Sequence, residues 1–199
     1  KVKEQPLPYE YQEPELAWRA LKKKTEPEDF DESPETGVPV DTVRKIVEHL
    51  MQYPDDLNPI GKINRLIKGM KKTYDGDKLD WAMGELAAYG TLLLEGKDVR
   101  LSGQDSRRGT FSHRHAVLHS KGSDKEYNRL SGLSDDQGTF YIYNSLLSEF
   151  AVLGFEYGYS LATPNALVLW EAQFGDFYNG AQVIIDQYLT AAESKWRRM

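Results

Sequence analysis

The chain has 199 residues, 40% of them hydrophobic and 28% charged, with a formal charge of -6 at pH 7. That length covers one ordinary domain plus an extension, and the balance of apolar and charged residues excludes a disordered chain. No apolar run approaches the roughly 20 residues of a membrane helix, the acidic charge counts against nucleic acid, and the lack of cysteine excludes disulfide, thiolate–metal and thiol-nucleophile chemistry.

The absence of cysteine also fits a cytoplasmic setting, and no signal-peptide pattern opens the chain. Both ends read as cut, the first residue being Lys1 and the last ones Trp196 to Met199 directly after a helical pattern. Residues 1–40 read as an acidic, proline-rich connecting segment. Pro6, Pro8, Pro14, Pro27, Pro34 and Pro39 interrupt any long helix, and Glu26 to Glu32 is an acidic run. Only Glu15 to Lys24 has the makings of a helix. Residues 41–78 read as a helical hairpin extension. Asp41 is placed to cap a stretch with Val43, Ile46, Val47 and Leu50 at helical spacing, and Ile63, Leu66, Ile67 and Met70 share one face of a second. A third helix is expected from Asp80 to Glu95, with Gly96 as its C-terminal stop.

Strands then alternate with helices. Val99 to Leu101 is a short strand entering the polar loop Ser102 to Arg114. Phe140 to Tyr143 is a second strand, after which Asn144-Ser145 is placed to cap a helix from Leu146 to Leu161. Ala166 to Trp170 is a third strand, and the loop Phe174 to Gly180 opens a helix to about Trp196. This alternation predicts an α/β fold, a parallel sheet with helices on both faces, in residues 79–199. Such sheets bind ligands outside the carboxyl ends of their strands, so residues 102–115, 144–149 and 171–180 are the candidate site.

Glu149 falls in the first turn of its helix beside Leu146, Phe150, Leu153 and Tyr157. It either complements the helix dipole or, partly buried, bonds a ligand nitrogen and shuttles its proton. His113, His115 and His119 crowd one segment. They read as a metal site, as structural histidines or as donors to an anionic substrate; Arg114 between them opposes a dication. Arg107 and Arg108 are either an exposed basic loop or a phosphate or carboxylate contact. The aromatic run from Trp170 to Gly180 supplies either core plugs or a face that stacks on a flat heterocycle. There is no glycine-rich phosphate cradle and no nucleophile elbow.

Three strings carry a resemblance: LSGQDSRRGTFSHRHAV at 101–117, YNSLLSEFAVLGFEYGY at 143–159 and LWEAQFGDFYNGAQ at 169–182. They resemble the thiamine-diphosphate-dependent decarboxylating component of 2-oxoglutarate dehydrogenase, from about Leu79 to Met199, whereas residues 1–78 resemble it only loosely. The resemblance implies the N-terminal part of a transketolase-like pyrimidine-binding domain, within a homodimer that holds thiamine diphosphate at a subunit interface. It implies Glu149 on the cofactor's aminopyrimidine, His115 and His113 beside 2-oxoglutarate, and Phe174 or Phe177 stacked on the pyrimidine. Gln104 and Asp105 are further cofactor-binding positions under the same resemblance.

The magnesium and diphosphate motif Gly-Asp-Gly…Asn does not appear here, so no metal ligand is expected in this chain. The piece is expected to be inactive alone, its Mg2+ being bound by a domain outside it. The implied reaction is oxidative decarboxylation of 2-oxoglutarate in the tricarboxylic acid cycle, with succinyl transfer to lipoamide on the dihydrolipoyl succinyltransferase component. Alternatives are the same chemistry on 2-oxoadipate, or a dimerisation or docking module without catalysis. The implied location is the cytoplasm of a bacterium or the mitochondrial matrix of a eukaryote, with no membrane and no nucleic acid involved.

Overall fold

The computed structural model describes residues 13–21 and 26–196; Pro6, Pro8, Lys22 to Lys24 and Arg197 to Met199 lie outside them. In chain order the helices and strands are α1 (Glu13–Leu21), α2 (Val40–Leu50), α3 (Gly61–Asp75), α4 (Trp81–Leu94), β1 (Val99–Gly103), β2 (Val117–His119), β3 (Glu126–Asn128), β4 (Phe140–Asn144), α5 (Glu149–Ala162) and β5 (Leu167–Glu171). A segmented helical stretch follows: a 3-10 turn Asp176–Ala181, α6 (Gln182–Ile184), a π turn Ile185–Leu189 and α7 (Ala192–Trp196).

The sheet is parallel, in the order β4-β1-β5. Strand residues alternate between its faces, and the two faces differ. On one, Val99 and Leu101 lie level with Phe140, Ile142, Leu167 and Leu169. These pack with Met83, Leu86 and Leu93 of α4 and Ile46, Val47 and Leu50 of α2 into the main core. A fully buried side chain of this kind contributes about 1.5–3 kcal/mol. Helix α2 reaches α4 at Gly90, where an added Cβ would stand 2.7 Å from Ile46 Cγ2; the close approach requires glycine. Helix α3 runs beside the β2–β3 ribbon, with Ile63 and Ile67 against Leu118 and Tyr127.

The other face carries α5 and a buried ion pair. Arg100 Nε and Nη2 donate to Glu156 at 2.6 and 2.9 Å, and Ser102 Oγ donates to the same carboxylate at 2.9 Å. The Arg100 guanidinium also lies over the rings of Tyr143 and Tyr159, 4.8 and 4.5 Å from their centroids. The Glu156 bond raises the arginine above its ordinary pKa against the effect of burial. The sheet is therefore covered by α4 on one side and α5 on the other, as the strand and helix alternation predicts.

Local details differ from the expected elements. Helix α5 starts at Glu149, three residues later than expected, because Ser148 is the residue whose hydroxyl accepts from the Ala151 amide. Ser145 instead accepts from Leu147 N at 3.2 Å, closing a turn of its own and leaving Leu146 fully exposed. Helix α2 starts at Val40 after Pro39, and Asp41 inside it bonds Arg44 rather than a backbone amide. The expected helix after 180 is broken into segments; Asn179 and Gly180 are poor helix formers at its start. The three-residue strands β2 and β3 form an antiparallel ribbon too short to show a period. Within residues 1–40, Trp18 of α1 donates to Leu161 O at the end of α5 at 2.8 Å.

Candidate functional site

All three strands of the sheet end on one side, and the loops that leave them meet there. Gly103, the last residue of β1, sets the spacing. An added Cβ would lie 2.4 Å from Glu171 O and 2.7 Å from Ser106 Oγ, so a side chain there would push β5 or the 104–115 loop away. Gly103 O also accepts from Ser145 N at 2.8 Å, which ties the β1 exit to the segment before α5.

Glu149 stands in a groove between these exits. The groove is lined by Gly103, Gln104, Leu147, Val152, Trp170 and Glu171, among others. As the first residue of α5, Glu149 has its carboxylate near a helix N-terminus, where negative charge is favoured. Among the described residues that carboxylate takes part in no hydrogen bond or ion pair. Gly180 lies against it: an added Cβ would be 3.3 Å from Glu149 Oε2. The groove has about 10 Å3 of free volume, room for about one water.

A second and far larger cavity, of about 890 Å3, opens beside it. Its wall includes Trp81, Phe111, His113, Arg114, Glu171 and Phe174. Phe111 and Phe174 meet edge to face with centroids 5.4 Å apart, and Phe111 lies 6.1 Å from the His113 ring. Phe174 has φ 57 and is followed by Gly175 at φ 76, a left-handed pair that turns the chain sharply after β5. Glu171 belongs to both cavities and forms the partition between them.

The partition is held from behind by Arg114, whose side chain is 3% exposed. Its Nε and Nη2 donate to Glu85 of α4 at 2.8 and 2.9 Å, Nη1 donates to Ser106 O at 2.7 Å, and Nη2 also donates to Glu171. Burial works against the guanidinium charge, but the two carboxylates outweigh it and raise the arginine above its ordinary pKa. Tyr89 donates to Glu85 at 3.0 Å, and burial followed by that carboxylate pushes the phenol up. Arg114 is thus a structural clamp, with four of its five N–H donors engaged within the protein.

The histidines divide. His113 lines the large cavity and its Nδ1 has no partner among the described residues. Gly109 stacks against that ring, an added Cβ standing 2.5 Å from His113 Cε1. His115 is buried behind it, outside the wall of either cavity, with φ 40 and an unpaired Nε2. Burial first, then the charges of Lys62, Arg129, Arg108 and His113, lower its pKa to about 4, so the imidazole is neutral at pH 7. His119 is exposed and 3.3 Å from Glu126.

Of the other sequence candidates, Gln104 lies on the Glu149 groove. Asp105, with φ 55, bonds Arg108 Nη2 at 2.9 Å, while Arg108 Nη1 donates to Ser112 Oγ at 2.8 Å. Arg107 pairs with Glu126, whose pKa that bond lowers. Arg108 therefore serves the loop itself, and Arg107 ties the loop to β3. Phe177 is half exposed and lines neither cavity, whereas Phe174 lines the large one. Among the described residues no three His, Asp or Glu side chains converge as a metal ion needs, and no helix is long and apolar enough to cross a membrane. Sequence reasoning missed Glu85 and Arg129, and took in Glu171 only as the first residue of the 171–180 segment. Glu171 sits at a strand's carboxyl end, the one signal that marked it.

Residues 77–199 match the family described as transketolase, pyrimidine binding domain. The chain is 52% identical over 166 residues to the mitochondrial 2-oxoglutarate dehydrogenase of Caenorhabditis elegans, a match covering 83% of this chain and 16% of that protein. To the mitochondrial 2-oxoglutarate dehydrogenase of Saccharomyces cerevisiae it is 49% identical over 164 residues, 82% of this chain and 16% of that one. To the 2-oxoglutarate dehydrogenase E1 component of Brucella ovis it is 46% identical over 184 residues, 92% of this chain and 18% of that one. The chain therefore spans about a sixth of the length of the curated relatives it matches.

Proposed function

Because the chain belongs to the transketolase pyrimidine-binding domain family, we propose that it is the part of a 2-oxoglutarate dehydrogenase that binds the aminopyrimidine of thiamine diphosphate and part of the 2-oxo acid. The observation that carries this reading is the Glu149 carboxylate, unpaired among the described residues, in a groove at the strand ends. An acceptor flanked by the amide of Gln104 and the apolar walls of Leu147, Val152 and Trp170 suits a flat ring with a protonatable nitrogen. Glu149 would exchange a proton with that nitrogen, Gln104 would lie at the ring's rim, and Phe174 would offer an aromatic face from the neighbouring turn. Room for about one water means that the rim must rearrange to admit a ring.

Thiamine diphosphate, when bound, supplies the carbon nucleophile and the electron sink that decarboxylation of a 2-oxo acid requires. The large cavity is the proposed place for that acid. His113 on its wall would donate to the substrate, with the neutral His115 packed behind it. A second copy of the chain's parent protein would contribute the diphosphate and magnesium site, and a dihydrolipoyl succinyltransferase would receive the succinyl group. The mitochondrial relatives from nematode and yeast support a matrix location in a eukaryote, and the bacterial ones a cytoplasmic location.

Two measurements test this reading. In the full-length protein, His113→Ala should lower kcat/KM for 2-oxoglutarate by about 10- to 150-fold, as loss of a hydrogen bond to a charged group does (~1.5–3 kcal/mol). Thiamine diphosphate affinity should stay unchanged. A variant with normal kcat/KM would remove the substrate from this cavity, and a preference for 2-oxoadipate in the wild type would reassign the acid. Calorimetric titration of the 199-residue chain with thiamine diphosphate and Mg2+ should show a Kd no tighter than about millimolar. Most of the affinity would come from a diphosphate held with a hard cation on oxygen ligands, and among the described residues no three such side chains converge.

A further inference from the structure

We propose that Arg129 is the positioning residue of the His113–His115 turn, an inference that rests on the reading of that turn as the substrate side of the site. Arg129 follows β3 and is 1% exposed. A guanidinium has five N–H donors, and all five are engaged. Nε donates to Leu50 O at 2.9 Å, Nη2 to Leu50 O and to Met70 Sδ, and Nη1 to Arg114 O and His115 O at 3.3 Å each. Among the described residues it has no carboxylate partner. The charge is offset instead by Leu50, the last residue of α2, whose carbonyl lies at the negative end of that helix.

The fork fixes two consecutive carbonyls of the turn in one direction. His115 has φ 40, a conformation that its Cβ disfavours, and the bond to its carbonyl holds it there. The same turn sends His113 to the cavity wall and Arg114 to Glu171. An apolar side chain would fill the space without the desolvation cost of a buried cation, but it would leave three backbone carbonyls unpaired and the turn free to choose its direction. Positioning also explains the state of His115. Its Nε2 is buried and unpaired, and Lys62 from α3, Arg129, Arg108 and His113 are the charged or titratable groups acting on it.

The test is Arg129→Lys in the full-length protein. Lysine keeps the charge, but its single nitrogen cannot span Leu50 and the two turn carbonyls. With misplacement of about 1 Å costing on the order of 100-fold, kcat/KM for 2-oxoglutarate should fall about 10- to 100-fold at unchanged thiamine diphosphate affinity. Hydrogen exchange at the imidazole C2 of His115, followed by mass spectrometry, should titrate at about 4 in the wild type and markedly higher in the variant. Unchanged kcat/KM together with unchanged His115 titration would overturn the proposal. Should the variant fail to fold, an ordinary titration of His115 in the wild type, near about 6.5, would overturn it as well. A shifted His115 in Arg129→Lys with normal decarboxylation in His113→Ala would instead defeat the substrate reading and leave the positioning contact standing.

Discussion

Glu149→Gln in the full-length protein should lower turnover of 2-oxoglutarate by about 10²–10⁴-fold, the usual scale for losing a positioned general acid–base group. The substitution keeps the size of the side chain and its place at the head of α5, where the amide still fits beside Gly180. What it removes is the ability to give up and take back a proton. Because no protein group relies on that carboxylate among the described residues, stability should change little, and a normal melting temperature alongside the kinetic loss is part of the expectation.

The largest expected effect on stability lies one layer deeper, at Arg114. Arg114→Met should destabilise the fold by about 3–5 kcal/mol, since it strands the Glu85 and Glu171 carboxylates that the guanidinium now pairs. The control is Arg107→Met. Arg107 pairs with Glu126 at the surface, and exposed pairs contribute about 0–1 kcal/mol. Urea midpoints of the two variants should therefore differ widely although each loses one arginine. Equal, small shifts would mean that the Glu85–Arg114–Glu171 group does not hold α4 to the end of β5.

The sheet was legible because its strands are continuous apolar runs separated by helical periods, as at Phe140 to Ile142 and Leu167 to Leu169. Residues 77–199 match the pyrimidine-binding family, and all three strings that carried the resemblance fall within that match. Glu149 was legible as a first-turn carboxylate, although its cap is Ser148 and not Ser145. Less was legible where charges are buried. Arg100, Arg129 and Glu156 drew no notice in the sequence and Arg114 only as a charge between histidines, because a sequence shows the cost of burying a charge and not the partners that offset it. The different placements of His113 and His115 were hidden for a related reason. Left-handed backbone at Asp105, Ser112 and His115 folds the 104–115 loop back on itself, and no alternation along the chain encodes that.

Turnover can fall for many reasons, so the central claim, that Glu149 exchanges a proton with the cofactor, is tested most directly at the cofactor itself. The measurement is hydrogen–deuterium exchange at the thiazolium C2 of thiamine diphosphate bound with Mg2+ to the full-length protein, followed by proton NMR after quenching. The account predicts exchange in the wild type that slows by about 10²-fold or more in Glu149→Gln at saturating cofactor. Exchange at the same rate in both proteins would contradict it.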